Sequence, residues 1–148
     1  MRTPISLSFD LGVKSLVTPA DPNVVSTQTT QVYVENEYVL CLNIYNVPPT
    51  KVNLSGTVSY KLGIGYLDGV APLLESNNAQ FNIPGDWALV NPTNGLISVR
   101  VDTNNAALEA DLGSDAYKSY YLEVKAQDAI GDSTVLLCPI TVFNTVYT

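Results

Sequence analysis

Asp102, Glu109, Asp111, Asp115, Asp128 and Asp132 cluster in sequence around an expected helix and hairpin. They are the residues whose type and spacing could do chemistry. A pair of them could divide the acid and base work of glycoside hydrolysis, with Trp87 and the tyrosines stacking on a sugar. A plainer role competes: aspartate at turns and near helix ends accepts backbone amides, and a tryptophan among strands is ordinarily a core residue. The chain has no histidine, which removes the commonest general base and metal ligand and the Ser-His-Asp and Cys-His arrangements with it. No catalytic residue, cofactor or metal ligand is assigned on this basis, and the chain is expected not to be an enzyme. Cys41 and Cys138 are too few for a disulfide scaffold. Each falls inside an expected strand, so they could bridge two sheets or remain reduced, buried and hydrophobe-like.

The elements that must position these residues are clearest from Asn94 to Val142. Ile97, Val99 and Val101 alternate with Ser98, Arg100 and Asp102, the period of a half-buried strand. Thr103 or Asn104 can cap a short helix near residues 104–112, with Leu108 and Leu112 on one face and Gly113 placed for a left-handed C-terminal cap. Tyr120, Leu122, Val124 and Ala126 then alternate up to the turn at Asp128 to Asp132, where Gly131 can take the positive φ of a hairpin. In the last strand Thr134, Leu136, Cys138, Ile140 and Val142 share a face. Val135, Leu137 and Phe143 lie opposite.

Upstream, Val58, Tyr60, Leu62, Ile64 and Tyr66 give the cleanest alternation of the chain. Gly63 and Gly65 fall on the other face, where they either permit sheet twist or lie under a close neighbour. Val32 to Val34 and Tyr38 to Tyr45 read as strands around a polar corner at Glu35-Asn36-Glu37, and Val47-Pro48-Pro49-Thr50 ends the second of them. Leu67 to Val70 reads as a turn, Leu73-Leu74 and Gln80 to Ile83 as short strands, and Trp87 to Val90 as another. Residues 1–30 carry one short alternation, Ile5, Leu7 and Phe9, followed by turn and loop chemistry from Thr18 to Thr30. They are expected to form an extended arm that orders against a neighbour by adding a strand to the edge of its sheet. Asn53-Leu54-Ser55 matches a glycosylation sequon, a tripeptide common by chance.

Composition limits the partners. The chain has 148 residues and a formal net charge of -7, with seven basic residues scattered singly. Nucleic acid and anionic membranes both need a basic patch, so neither is expected as a partner. No apolar stretch reaches the length of a membrane span, and the N-terminus lacks the apolar core of a secretory signal. Nine tyrosines with only 14% charged residues suit a strand-rich globular protein held by neighbours.

The segments Asn53 to Lys61, Gly95 to Asp102, the helix ending in Leu112-Gly113, and Tyr121 to Asp128 with Gly131 and the last strand together resemble the N-terminal domain of upper baseplate proteins, and related tail-fibre modules, of tailed bacteriophages. The resemblance covers about Val32 to Val146. It departs from the family at Glu35-Asn36-Glu37, where a Gly-Asp pair is usual, and in stopping at Thr148 where a shaft or receptor-binding region usually follows. Gly95 to Val142 also resembles a cadherin-like repeat, and that likeness would make Asp102, Asp128 and Asp132 calcium candidates.

The expected fold is all-β, an antiparallel β-sandwich, immunoglobulin-like or jelly-roll-like, of 7–9 strands with one short helix, over residues 31–148 behind the 1–30 arm. The resemblance implies a virion structural protein of tail, baseplate or fibre-attachment type, assembled in the host cytoplasm and bound to other virion proteins and copies of itself. The alternatives are a small capsid decoration protein and a module that binds host-surface glycan. Interface candidates are Ile5, Leu7 and Phe9 in the arm and Tyr33, Tyr45, Tyr121 and Tyr147 on the strands.

Overall fold

The computed structural model describes residues 2–78 and 87–146. Alternating apolar residues drive almost every element, because a strand with one apolar face must bury it against another layer. Two five-stranded sheets result. The first runs in the order β2 (Ser15–Val17), β1 (Arg2–Asp10), β4 (Glu37–Tyr45), β8 (Leu96–Asp102), β7 (Trp87–Asn91). The second runs β3 (Thr30–Tyr33), β10 (Asp132–Phe143), β9 (Tyr117–Gln127), β5 (Ser59–Gly65), β6 (Leu74–Asn78). Their inner faces share one core, with Leu40, Leu42, Ile44, Ile97 and Val99 from the first sheet and Tyr60, Leu62, Ile64, Leu122 and Leu136 from the second. This is the all-β sandwich that the alternation implies, with ten strands among the described residues.

Two pairings differ from the antiparallel expectation. β1 lies parallel to β4 and β3 lies parallel to β10. Between β3 and β4 lies the corner at Val34 to Asn36, where Glu35 adopts a left-handed φ of 59°. It does not fold β4 back on β3 as a hairpin but passes the chain from the second sheet to the first.

The expected arm is also corrected. Arg2 to Asp10 pair residue for residue with Glu37 to Tyr45, β2 folds back on β1, and Leu7 and Phe9 are buried in the core. Burying two such side chains is worth about 1.5–3 kcal/mol each, so the Ile5, Leu7, Phe9 alternation is better satisfied inside this sandwich than free in solvent. Loop chemistry returns only after Val17: the Thr18 hydroxyl donates to the Asp21 carbonyl at 2.7 Å, and Asp21 accepts the Asn23 amide at 3.0 Å.

Local punctuation is partly as expected. Helix α1 (Ala106–Leu112) buries Leu108 and Leu112. Its N-cap is Asn105, whose side chain accepts the Leu108 amide at 2.9 Å, and neither Thr103 nor Asn104 fills that role. Gly113 has φ 59° but ψ -127°, so it ends the helix without the left-handed cap. Gly131 does not take positive φ. The Asp128 carboxylate instead accepts the Ile130 and Gly131 amides at 2.8 and 3.0 Å and closes the turn itself. In β10 a bulge between Thr134 and Leu136 lets Val135 and Leu136 both turn inward, which leaves Thr134 exposed and off the buried face.

The strand expected at Gln80 to Ile83 lies outside the described residues. Before β8, Pro92–Asn94 make one turn of 3-10 helix and Gly95 adopts φ 69°. A Cβ there would stand 2.6 Å from the Ile44 carbonyl oxygen, so glycine is required by both conformation and space.

Candidate interaction faces of the sandwich

The outward residues of β3, β10 and β9 form cross-strand rows, since neighbouring strands place alternate side chains side by side. At the end where β3 and β10 finish, Tyr33 pairs with Phe143 and Phe143 with Tyr117. Ring centroids are 5.5 Å apart in the first pair and 5.7 Å in the second, both tilted, within the range of favourable aromatic contacts. The outer two rings remain open, Tyr33 at 54% and Tyr117 at 60% exposure. Neither Tyr117 nor Phe143 is among the interface candidates read from the sequence. Only the antiparallel register of β9 on β10 reveals the row.

Of the interface candidates read from the sequence, Tyr33 and Tyr121 face solvent. Leu7 and Phe9 are core, and Ile5 is half-buried against it. Tyr45 is buried too, with the Lys51 ammonium 5.7 Å from its ring centroid. Tyr147 lies outside the described residues, as does the side chain of Trp87, whose backbone belongs to β7.

Next to Tyr121 the outer face of the second sheet carries a groove of about 500 Å³. Its floor is Gly63, and its wall is the β5–β6 connection, residues 66–73, which folds back over the sheet. Pro72 lies so close that a Cβ on Gly63 would stand 2.8 Å from its Cγ, and one on Gly65 3.1 Å from its Cα. The two glycines thus admit a close neighbour, one of the two readings their spacing left open. Leu67 and Val70 in the wall are exposed, and Lys61, Lys125, Glu75, Glu123 and Asp132 line the polar side. Lys61 stands 4.0 Å from Asp132, and the Thr134 hydroxyl donates to Glu123 at 2.7 Å.

At the opposite end from the aromatic row, Asp10 terminates β1. Its carboxylate, 5% exposed, accepts the amides of Gly12 at 2.8 Å and Val47 at 3.0 Å. Val47 is held at φ 58°, a left-handed conformation that is a true outlier for a β-branched residue. The sequence marked Val47 to Thr50 only as a strand end, and Asp10 not at all, because the contact spans 37 positions.

The acidic residues are dispersed. Asp102 ends β8 and accepts the Asn104 amide, whereas Asp128 and Asp132 flank the β9–β10 turn in the other sheet. The Ile130 amide, then that of Gly131, holds the Asp128 carboxyl below the usual carboxylate range. Among the described residues no group of three or more His, Cys, Asp or Glu is arranged to hold a metal.

Asp111 anchors α1 to the second sheet, accepting from the Tyr66 hydroxyl at 2.6 Å, the Tyr120 hydroxyl at 2.8 Å and the Lys118 ammonium at 3.4 Å. The Tyr66 hydrogen bond, then that of Tyr120, lowers its pKa. Burial, then the Asp111 carboxylate, raises that of Tyr120. Glu109 meets Glu35 across the corner, and its pKa is raised by desolvation first and by the neighbouring carboxylate second. Both cysteines are free: Cys41 is exposed on the outer face of the first sheet and Cys138 is buried in the second.

No protein-family model matches the chain, and no curated protein matches it. Among solved structures it is similar to the N-terminal domain of phage TP901-1 ORF48, with 96% of this chain and 98% of that one covered, a TM-score of 0.45 and 10% sequence identity.

Proposed function

We propose that this chain is a non-enzymatic structural module of a bacteriophage virion, of tail, baseplate or fibre-attachment type, which works by being held between neighbouring proteins. The observation that carries the reading is the open row of Tyr33, Phe143 and Tyr117. Rigid aromatic rings are what protein interfaces concentrate, because they supply contact area at low entropic cost. The baseplate-type resemblance of Asn53 to Lys61 and Gly95 to Asp128 supports the same class of role.

The test is quantitative mass spectrometry of purified particles, with the double variant Tyr33→Ser, Tyr117→Ser as the comparison. Copy numbers in small multiples of three or six support a tail or baseplate position. A count on the order of hundreds moves the module to capsid decoration, because copy number follows the symmetry of the site. Loss of the double variant from particles, with its thermal melt unchanged, identifies the aromatic row as the contact. Absence of the wild-type chain from particles overturns the proposal.

A further inference from the structure

Charge divides this sandwich between its two ends. The eleven residues of β9, at about 3.3 Å each, set those ends roughly 35 Å apart. Physiological salt screens charge over only about 8 Å, so each end meets a neighbour with its own charges and not with the net charge of the chain. At the end where β1, β4 and β9 finish, Lys14 lies in the β1–β2 turn, Lys51 bridges to Tyr45, and Lys61 stands opposite Lys125 on β5 and β9. At the end where β3, β8 and β10 finish, the corner, α1 and the turn before β9 carry Glu35, Asp102, Glu109 and Asp115.

The countercharges at each end are already engaged. At the lysine end Asp10 accepts the Gly12 and Val47 amides, Asp128 those of Ile130 and Gly131, and Asp132 stands 4.0 Å from Lys61. At the acidic end Arg100 pairs with Glu37 and Lys118 with Asp111, and the Arg2 side chain lies outside the described residues. Among the described residues Lys14, Lys51 and Lys125 at one end, and Glu35, Asp102, Glu109 and Asp115 at the other, take part in no ion pair. Glu35 and Glu109 even meet each other, an arrangement that like charges resist until a cation joins them. Apolar surface accompanies both sets. Tyr33 and Tyr117 are exposed two positions from Glu35 and Asp115, and Val13, Val47 and Ile130 are exposed among the lysines.

We propose that the lysine end of one copy seats on the acidic, aromatic end of a second copy, with Lys14 and Lys51 meeting Glu35 and Asp115 at the border of the row of Tyr33, Phe143 and Tyr117. Charge names the occupant: one end of the chain supplies the unpaired cations that the other end lacks, and both bring apolar surface to be covered. Two different surfaces meet, so the contact is heterologous and repeats until a ring closes or a filament forms. The inference rests on the reading of the aromatic row as an assembly contact, and it gives that contact its partner.

The experiment is sedimentation velocity on the full chain from about 10 μM to about 1 mM. Two double charge reversals are compared, Lys14→Glu with Lys51→Glu, and Glu35→Lys with Asp115→Lys. Wild type should gain mass with concentration, and its association should weaken at least about tenfold between about 50 mM and about 500 mM salt. Each double variant carries like charge at both ends and should associate at least about tenfold more weakly than wild type. An equimolar mixture of the two should recover the wild-type association, because every end then finds an opposite one. Thermal melts of both variants should stay close to that of wild type, since none of the four side chains is in an ion pair within the chain.

A wild-type chain that is monomeric throughout overturns the proposal, as do double variants that associate like wild type or a mixture that stays monomeric. Amide shifts confined to the acidic end on adding hexa-arginine, with no self-association, would assign that end to a basic protein of another kind and overturn the proposal too. A wild type that is monomeric in solution yet present in purified particles removes only the contact between copies. Absence from particles would instead remove the assembly role itself.

Discussion

The Thr103 hydroxyl donates to the Tyr33 carbonyl at 2.6 Å and accepts the Asn36 amide at 3.0 Å. One fully buried side chain thus ties the end of β8 in the first sheet to the corner by which the chain leaves the second. Thr103→Val keeps the shape and strands both backbone groups. It should cost about 2–3 kcal/mol of unfolding free energy in urea, whereas Thr103→Ser should lose far less. Equal losses in the two variants would assign the role to the methyl group and not to the hydroxyl.

Gly63 lets the β5–β6 connection lie on the sheet. Gly63→Ala should destabilise the fold by about 1–3 kcal/mol through overpacking against Pro72. Adding Pro72→Ala should recover part of it, and a double-mutant cycle measures the coupling. Strict additivity would mean that the two side chains do not meet.

Asp111 provides a pH signature. Its pKa is lowered in the folded state by the Tyr66 and Tyr120 hydroxyls, so its contribution is present above the ordinary carboxylate pKa and is lost as pH falls through the depressed one. Asp111→Asn should therefore cost about 1–2 kcal/mol at pH 7, a difference that shrinks steadily below about pH 4. Chemical denaturation of both proteins at a series of pH values measures it. A deficit independent of pH would attribute the loss to geometry and not to charge.

The two thiols should react very differently. Burial pushes the Cys138 thiol up to about 12, whereas Cys41 is exposed. An aromatic disulfide reagent at neutral pH should titrate one thiol in the native protein and both in denaturant. Two fast thiols in the native state would place Cys138 at the surface.

The alternation of Ile97, Val99 and Val101, of Tyr60, Leu62 and Ile64, and of Tyr120 to Ala126 determined by itself that the chain is a sandwich of strands. The same was true of α1, marked by Leu108 and Leu112, and of the corner at Glu35-Asn36. These are local properties, because the period of two and the capping chemistry need only neighbouring residues. Tertiary structure alone decided which partner each strand took. Alternation says that Ile5, Leu7 and Phe9 form a strand with one apolar face, but the sheet of this same chain supplies the surface that covers it, so an apparent arm became β1.

The candidate sites follow the same division. Tyr33 and Tyr45 are indistinguishable as strand tyrosines, yet one is open and the other lies beneath Lys51. The row of Tyr33, Phe143 and Tyr117, the seat of Pro72 on Gly63, and the hold of Asp10 on Val47 all depend on long-range register. Sequence periodicity fixes the direction in which a side chain points relative to its own strand, whereas what it meets is set by how the sheets close.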